Sequence, residues 1–402
     1  MLPFKWSSTR FLLFAFLLTF FSSFGQTFFI GLFSKDLQTH IGLDYGGFGT
    51  VYALTTLASA FIILWAGALI DRVRPGLYVS CVIGLYALGC ILLSQSSGIL
   101  LLAAAIFLLR FSGQGLLSHI AITVTARTFD RTRGRALSIS FLGHPCGEAV
   151  LPPLFVFLGS IWPWQYLWLG NAAVLVCLLP LLLILLGSGT GGLTPEGKQP
   201  DPMGAKPEQS GRTRAEVLRD PMFHKLLPTL LTPGFVATGI FIHQSALMVE
   251  KGWSASWFAF SFSFFAAGQV IGNLVAGQLV DRFGARRLMP LYLLPMGVVT
   301  ALVCVADHRF LALVLMAGTG LTTGSASSIS NAMWAETYGL KHLGAIRALS
   351  SSILVISSAL SPALFGYLLE GGITFEDILL GCAIWTGLAT LLAGDAVRKH
   401  AA

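Results

Sequence analysis

Two ionisable side chains stand out because they lie deep inside long apolar stretches of the sequence. Arg110 is the only basic residue in such a position, and Glu148 is the only acidic one. An ionised side chain in an apolar medium is costly, so it usually faces a cavity or another charge. A guanidinium can hold a carboxylate, and an isolated carboxyl group can exchange a proton. The two residues therefore predict either an anion site with a proton-exchanging acid or a purely structural ion pair.

Further polar residues extend this candidate site. His144 precedes Glu148 by about one helical turn on the same face, where it would either relay protons or form a structural hydrogen bond. Uncharged polar side chains inside apolar segments either join helices or line a path for a solute. Besides Arg110, the residues predicted to contact a substrate are Gln26, Gln269, Asn273 and Asn331.

The segments that carry these residues are predicted to be membrane-spanning helices. The sequence of 402 residues is 55% hydrophobic and 11% charged, whereas soluble domains carry roughly 25% charged residues. Its apolar runs approach the ~20 residues that span a bilayer and lack the alternation of barrel strands. Twelve spans are predicted, near 11–33, 47–70, 77–95, 98–124, 136–159, 164–186, 224–248, 254–280, 288–306, 310–334, 345–369 and 374–394.

The loops between these spans set the predicted orientation. Most of the 25 Lys and Arg residues fall in alternate loops, and the positive-inside rule then places both termini in the cytoplasm. Arg110 precedes Arg127 by 17 positions, and Glu148 follows Arg131 by 17. At ~1.5 Å rise per residue, Arg110 and Glu148 are expected at similar depth near the bilayer centre.

A polar segment divides the chain into halves that repeat each other. Residues 187–222 are rich in Gly, Pro, Lys and Glu, a composition that cannot bury a core. The string AGALIDR at 66–72 is repeated as AGQLVDR at 276–282. The string RALS occurs twice, at the start of the fifth span and at the start of the eleventh. We therefore expect an all-α membrane protein with six-helix bundles at 1–186 and 223–402, joined by a cytoplasmic linker at 187–222.

Both copies of the first repeat contain a Gly-x-x-x-Asp-Arg signature at the end of a span. The residues are Gly67, Asp71 and Arg72 in helix two, and Gly277, Asp281 and Arg282 in helix eight. Glycine permits close helix approach, and aspartate can face the positive N-terminal end of a neighbouring helix. The signatures predict a charge latch on the cytoplasmic side, with ordinary positively charged turns as the alternative.

Several other classes of function are disfavoured. The six cysteines lie inside predicted spans without paired spacing, so neither a disulfide frame nor a metal site is indicated. The net charge of +7 is spread over short loops, which argues against a nucleic-acid partner. No GxxxxGK[ST] string for ATP binding occurs, and no clustered nucleophile and base indicates an enzyme. No cofactor is expected.

The parallel repeat and its paired signatures resemble the major facilitator superfamily over essentially the whole chain. Helices four and five also resemble the monocarboxylate porter group, which includes oxalate and formate exchangers. That group has an aromatic-Phe-x-Lys-Arg-Arg-x-x-Ala run followed by Ala-Gly-Ser-Pro-x-Gly. Here the sequence is TFDRTRGRA at 128–136, followed by LGHPCG at 142–147. Pro362 and Gly366 in helix eleven match the group's Pro-and-Gly-rich helix end.

This resemblance also shows where the chain departs from the group. Its animal members carry a lysine midway along helix one, where Phe28 stands here, with Gln26 the nearest polar side chain. Their Asp and Arg in helix eight correspond to Gln269 and Asn273. The resemblance implies an alternating-access transporter, and we expect a monomer in the bacterial inner membrane that carries a small organic anion with protons. An exporter of amphipathic drugs or metabolites and a membrane sensor that transports nothing are the alternatives.

Overall fold

The computed structural model describes residues 6–129, 132–187, 211–339 and 341–401. Apart from one bridge between Gly211 and Gly339, the regular structure of these residues is helical. The bounds of the α-helices are α1 Trp6–Phe21, α2 Thr27–Leu32, α3 Ser34–Ile41, α4 Tyr45–Ala66, α5 Pro75–Ser94, α6 Ile99–Leu108, α7 Ser118–Thr128, α8 Arg133–Phe141, α9 Gly143–Gly159, α10 Trp164–Leu186, α11 Arg214–Arg219, α12 Pro221–Ile242, α13 Gln244–Lys251, α14 Ala255–Phe283, α15 Ala285–Leu288, α16 Leu294–Val305, α17 Phe310–Tyr338, α18 Leu343–Glu370 and α19 Phe375–Ala401.

Eleven helical stretches of the described residues are long and apolar enough to cross a membrane. The ninth predicted span is represented by α16, which is apolar but only 12 residues long. Helices satisfy their backbone groups internally, as an apolar medium requires. The predicted all-helical membrane fold is therefore confirmed.

The chain forms two compact units. Unit 1 comprises Met1–Leu43 and Thr50–Gln199, and unit 2 comprises Asp44–Gly49 and Pro200–Ala402. In unit 1, α1 packs on α7, α8 and α9, while α5 packs on α10. In unit 2, α14 pairs with α17, and α12 contacts α18 and α19. Apart from the start of α4, which falls in unit 2, the helices of each unit come from one half of the chain.

Most of the predicted linker, residues 188–210, lies outside the described part of the chain. Its last part is folded into unit 2. Thr213 caps α11 by accepting a hydrogen bond from Glu216 N, and Val217 is completely buried in the core of unit 2. Arg212 forms an ion pair with Asp220, whose other oxygen caps α12 at a distance of 2.8 Å from Met222 N. The composition of 187–222 therefore did not reveal this ordered junction.

The repeat is visible in the backbone. The eight-residue helices α3 and α13 begin 210 positions apart, the same offset that separates Asp71 from Asp281. Both end at a glycine with positive φ, Gly42 at 77° and Gly252 at 63°, a conformation that favours glycine over residues with a side chain.

Candidate functional site

Helix one of unit 1 is interrupted near its middle. A 3₁₀ turn at Ser22–Gly25 follows α1, and Gln26 then adopts an extended conformation with φ −81° and ψ 154° before α2 begins. The carbonyl oxygen of Gln26 still accepts hydrogen bonds from Phe29 N and Ile30 N, at 3.2 and 3.1 Å. The carbonyl of Gly25, by contrast, accepts a hydrogen bond from a side chain of helix four.

Helix four departs from α-helical geometry at the same place. Between α6 and α7, residues Leu109–Leu117 form a π-helix that contains Arg110, and such segments frequently mark functional sites. The two irregular segments fit tightly together. A Cβ atom added to Gly25 would lie 2.2 Å from Leu109 O, so no larger residue fits there without moving the backbone. This close approach places the interrupted helix beside Arg110.

The Arg110 side chain is buried beside these segments, with only 4% of the residue exposed. Its Nη1 atom donates hydrogen bonds to Gly25 O and Thr27 Oγ1, both at 3.2 Å. Its Cζ atom lies 5.2 Å from the ring centroid of Tyr52, and the Tyr52 hydroxyl is 2.7 Å from Thr27 Oγ1. All of these partners are formally neutral.

The other side of the guanidinium is not engaged by the described residues. Its Nε atom is buried and has no hydrogen-bond partner, and none of the described ion pairs includes Arg110. A structural Arg110–Glu148 ion pair is therefore not among the contacts of Arg110. The guanidinium keeps a donor edge and an uncompensated positive charge inside unit 1.

His144 lies where helices one, four and five of unit 1 meet. Its Nδ1 atom is 3.4 Å from Ser22 Oγ, and its Nε2 atom is 3.4 Å from Ser118 Oγ, with donor and acceptor roles set by the tautomer. Glu148 is partly buried on α9, about one turn further along. α9 approaches helix one closely because Gly147 leaves room, since an added Cβ would lie 2.1 Å from Ser23 Oγ. The imidazole and the carboxyl group therefore share a helix that is packed against the interruption.

The predicted polar residues of unit 2 lie on α14 and α17. Gln269 is partly buried, whereas Asn273 and Asn331 are exposed. Asn273 Oδ1 accepts a hydrogen bond from Ser328 Oγ at 2.6 Å, which joins the two helices. Of the two roles expected for polar residues inside spans, joining helices or lining a solute path, this contact is of the first kind.

The signature of unit 1 contacts helix four. Asp71 forms an ion pair with Arg127, and Gly67 O lies 3.2 Å from His119 Nε2. An added Cβ at Gly67 would lie 3.4 Å from the His119 ring, so the glycine allows this approach. Arg72 is exposed. The carboxylate of Asp71 thus pairs with a side chain, and no helix N-terminus is needed to explain its position.

In unit 2 a different carboxylate occupies the predicted position at a helix N-terminus. Asp281 and Arg282 are exposed, while Glu336 of α17 accepts hydrogen bonds from Ala285 N and Arg286 N at 2.8 and 3.3 Å. These are the first amides of α15. A Cβ added at Gly277 would meet nothing within 4 Å, so that glycine is not needed for close helix approach within unit 2.

The contacts described above lie in two units with repeated helices. A protein-family model with this architecture matches the chain. The model for the Major Facilitator Superfamily matches residues 15–267 and 236–398. The chain belongs to the major facilitator superfamily. Its members are transporters and not enzymes, and the chain is accordingly a multi-pass secondary transporter.

Individual relatives support the same assignment. Monocarboxylate transporter 13 of Bos taurus is 27% identical over 314 residues, which cover 77% of this chain and 71% of that protein. Inner membrane transport protein YdhP of Escherichia coli O157:H7 is 24% identical over 291 residues, 71% of this chain and 69% of that protein. The predicted resemblance to monocarboxylate porters is thereby confirmed as a resemblance.

A solved structure shows the same fold. A bacterial homolog to the human lysosomal transporter Spinster, in an inward-facing and occupied conformation, superposes with a TM-score of 0.72. The two sequences are 15% identical, and the match covers 98% of each chain. At this identity the comparison supports the major facilitator fold alone.

Sequence patterns did not reveal the neighbours of Arg110 in this major facilitator protein. Thr27 and Tyr52 lie on different helices, and hydroxyl groups in apolar helices are too common to single them out. The only sequence feature that points to either neighbour is that Thr27 directly follows Gln26, a predicted substrate contact. Asp130 and Arg131, part of the porter-like run, lie outside the described residues.

Proposed function

We propose that this protein transports a small organic anion across a bacterial inner membrane by alternating access, coupled to protons. Arg110 carries the proposal. A buried guanidinium with neutral partners and an unpartnered Nε donor offers both the charge and the geometry that a carboxylate requires. The name of the bovine relative describes a monocarboxylate transporter, which favours substrates with a single carboxylate.

The remaining proposed substrate contacts are Gln26, Gln269, Asn273 and Asn331. Gln26 is partly exposed at the interruption, next to the carbonyl that binds Arg110. Glu148 and His144 are proposed to handle the proton. We further propose a monomer with both termini in the cytoplasm, and signatures around Asp71 and Asp281 that stabilise closure of the cytoplasmic side.

The substrate class can be tested with purified protein. A ligand that binds the folded state raises its thermal stability by mass action. We expect stabilisation by monocarboxylates such as lactate, pyruvate or formate, and none by the corresponding neutral amides or alcohols. Stabilisation by neutral amphipathic compounds alone would instead favour the exporter.

Arg110→Ala should abolish monocarboxylate uptake in proteoliposomes while the protein remains folded. Charge-assisted hydrogen bonds contribute about 1.5–3 kcal/mol each, so losing two weakens binding by roughly 100-fold or more. Arg110→Lys should recover only part of the activity, because an ammonium lacks the planar donor fork.

The matched control is Arg309→Ala, which removes an exposed arginine from a loop of unit 2. Its uptake should equal that of the wild type. Undiminished uptake by Arg110→Ala would show that Arg110 only holds the interrupted helix in place.

A further inference from the structure

Unit 2 contains an apolar groove that the transport site does not use. The groove lies between α12, α18 and α19 and has a volume of about 700 Å³. Its wall includes Leu231, Phe235, Leu364, Phe365 and Ile378. All three helices are long and apolar enough to cross a membrane, so the groove runs along helices whose natural solvent is hydrocarbon.

Three polar side chains of the groove wall are already hydrogen-bonded. Trp385 Nε1 donates to Thr232 Oγ1 at 3.1 Å, and Thr232 Oγ1 donates to Pro228 O at 2.7 Å. Asp377 accepts a hydrogen bond from Thr374 Oγ1 at 2.7 Å. A polar solute would therefore find few unsatisfied partners here, whereas a hydrocarbon chain leaves no hydrogen bond unmade.

The length of the groove also suits a lipid chain. Along α12 its wall extends from His224 to Val236, which is about 18 Å at ~1.5 Å per residue. One leaflet accounts for half of a hydrocarbon core that is ≈ 30 Å thick, or about 15 Å. The two lengths agree to within one helical turn.

Charge distinguishes the two ends of the groove. His224 lines one end, and the exposed Arg219 precedes it in the chain, while Lys225 is paired with Asp395 at 2.6 Å. The other end is lined by Asp377, and the preceding Glu376 is paired with Lys251. A negatively charged headgroup is attracted to the first end and repelled by the second.

We propose that the groove binds an anionic phospholipid, with one acyl chain between α12, α18 and α19 and its phosphate at the His224 end. The site is separate from Arg110 and does not depend on the identity of the transported solute. Lipid bound there stabilises unit 2 by filling the space that α18 and α19 leave open.

Two glycines of α19 allow a matched test. Gly381 lines the groove, while Gly387 does not, and a Cβ added at either would meet nothing within 4 Å. Gly381→Phe should fill the groove without disturbing the packing. Gly387→Phe places the same ring on the same helix outside it.

The full-length protein would be titrated with phosphatidylglycerol, and bound lipid would be counted by native mass spectrometry. We expect Gly381→Phe to bind about tenfold less tightly than the wild type and Gly387→Phe to bind unchanged, with both variants melting as cooperatively as the wild type. Equal binding by all three proteins would overturn the proposal, because the lipid would then lie elsewhere.

The headgroup is tested with two further lipids of matched chains. Phosphatidylcholine and diacylglycerol should bind at least about tenfold more weakly than phosphatidylglycerol, and His224→Gln should reduce that preference. Equal binding of all three lipids would refute the assignment of the phosphate to the His224 end. If a monocarboxylate displaced the lipid, the groove would be a substrate site and the proposal would be wrong.

Discussion

Two buried cations, Arg110 in unit 1 and Lys251 in unit 2, have opposite surroundings. Arg110 donates to the neutral oxygens of Gly25 and Thr27. Lys251, whose side chain is 1% exposed, forms ion pairs with Asp307 at 2.8 Å and with Glu376. The charge of Lys251 is thus neutralised by carboxylates of the protein, while none of the described ion pairs includes Arg110. This contrast separates a structural cation from a candidate binding residue better than burial does.

The ion pairs determine how Lys251 titrates. Burial lowers the pKa of Lys251. Hydrogen bonds and charges from Asp307 and Glu376 together raise it by more than burial lowers it, so the pKa lies above its usual value. A raised lysine pKa contributes stability that is fully present below the unfolded pKa, about 10.4, and is lost only as pH rises through the folded pKa. The contribution of Lys251 to wild-type stability should therefore stay constant between pH 7 and 9.

Removing the anions should cost more than removing the cation. In Asp307→Asn/Glu376→Gln the buried ammonium keeps its charge and its hydrogen bond to Ala306 O but has no carboxylate partner, which costs roughly 3–5 kcal/mol. In Lys251→Met the carboxylates remain hydrated, since the Asp307 side chain is 81% exposed, and the loss should be about 1 kcal/mol. Thermal unfolding in detergent at pH 7 measures both losses.

The double variant should also become more stable between pH 7 and 10. Its Lys251 has lost the partners that raised the pKa, so desolvation depresses the folded pKa below the unfolded value, and deprotonation then relieves the cost. Lys341→Met, on an exposed position, serves as the control. Equal losses in the double variant and Lys251→Met at pH 7 would contradict this account.

At the scale of elements, the repeat preserves the backbone more closely than the chemistry. α4 and α14 begin 210 positions apart, as do α3 and α13. Yet Phe33, which precedes α3, corresponds to His243, which precedes α13. His243 is fully buried, and its Nε2 atom lies 2.7 Å from Pro362 O. The halves thus share these helix starts, while the polar contacts beside them differ.

One sequence difference within the repeat explains a structural difference. Gly284 adopts φ +80° and lets α14 run on to Phe283. The equivalent Arg74 carries a side chain and adopts φ −55°, and helix two ends instead in a 3₁₀ turn at Gly67–Asp71. A left-handed conformation is costly for any residue with a Cβ atom. The departure at Arg74 therefore produces a different helix end.

Apolar length and internal repetition were enough to predict an all-helical membrane protein of a two-domain fold, because apolar helices of this length follow from the membrane as solvent. The interruption at Gln26, the π-helix around Arg110 and the short α16 were not predictable in this way. They depend on contacts between helices, such as Gly25 against Leu109, which no periodicity encodes. The same holds for Glu336, whose partners lie some 50 positions away.

Glu336→Gln should weaken the start of α15 more than Asp281→Asn does. A carboxylate that accepts from the first amides of a helix contributes about 1 kcal/mol, and an amide loses the charge that favours the helix dipole. Hydrogen exchange of the Ala285 and Arg286 amides reports this contact directly, since these are the two donors. We expect their exchange to accelerate roughly fivefold in Glu336→Gln. If exchange of these amides accelerated in Asp281→Asn and not in Glu336→Gln, Asp281 would be the capping residue and the prediction would be wrong.

At the scale of the whole molecule, the superfamily assignment adds a transport function, which neither unit shows by itself. Parallel repeats in these transporters support alternating access, and the proton coupling proposed above would link the anion to a driving ion. Unit 1 contains the groups suited to that link. His144 contacts Ser22 of helix one and Ser118 of helix four, and it shares α9 with Glu148. Movement of helix one or four would therefore change the surroundings of the imidazole.

Glu148→Gln should uncouple transport from the proton gradient without abolishing transport. The amide mimics the protonated acid, so the variant can bind substrate but can no longer release a proton during the cycle. Uphill uptake driven by a pH gradient should fall to the level seen without a gradient, while counterflow between equal pH values persists. His144→Gln should reduce uphill uptake to a smaller extent if the imidazole relays the proton. Glu216→Gln, an exposed glutamate in the capping box of α11, should keep wild-type coupling. If Glu148→Gln still concentrates substrate in response to a pH gradient, the proton binds elsewhere and Glu148 has a structural role.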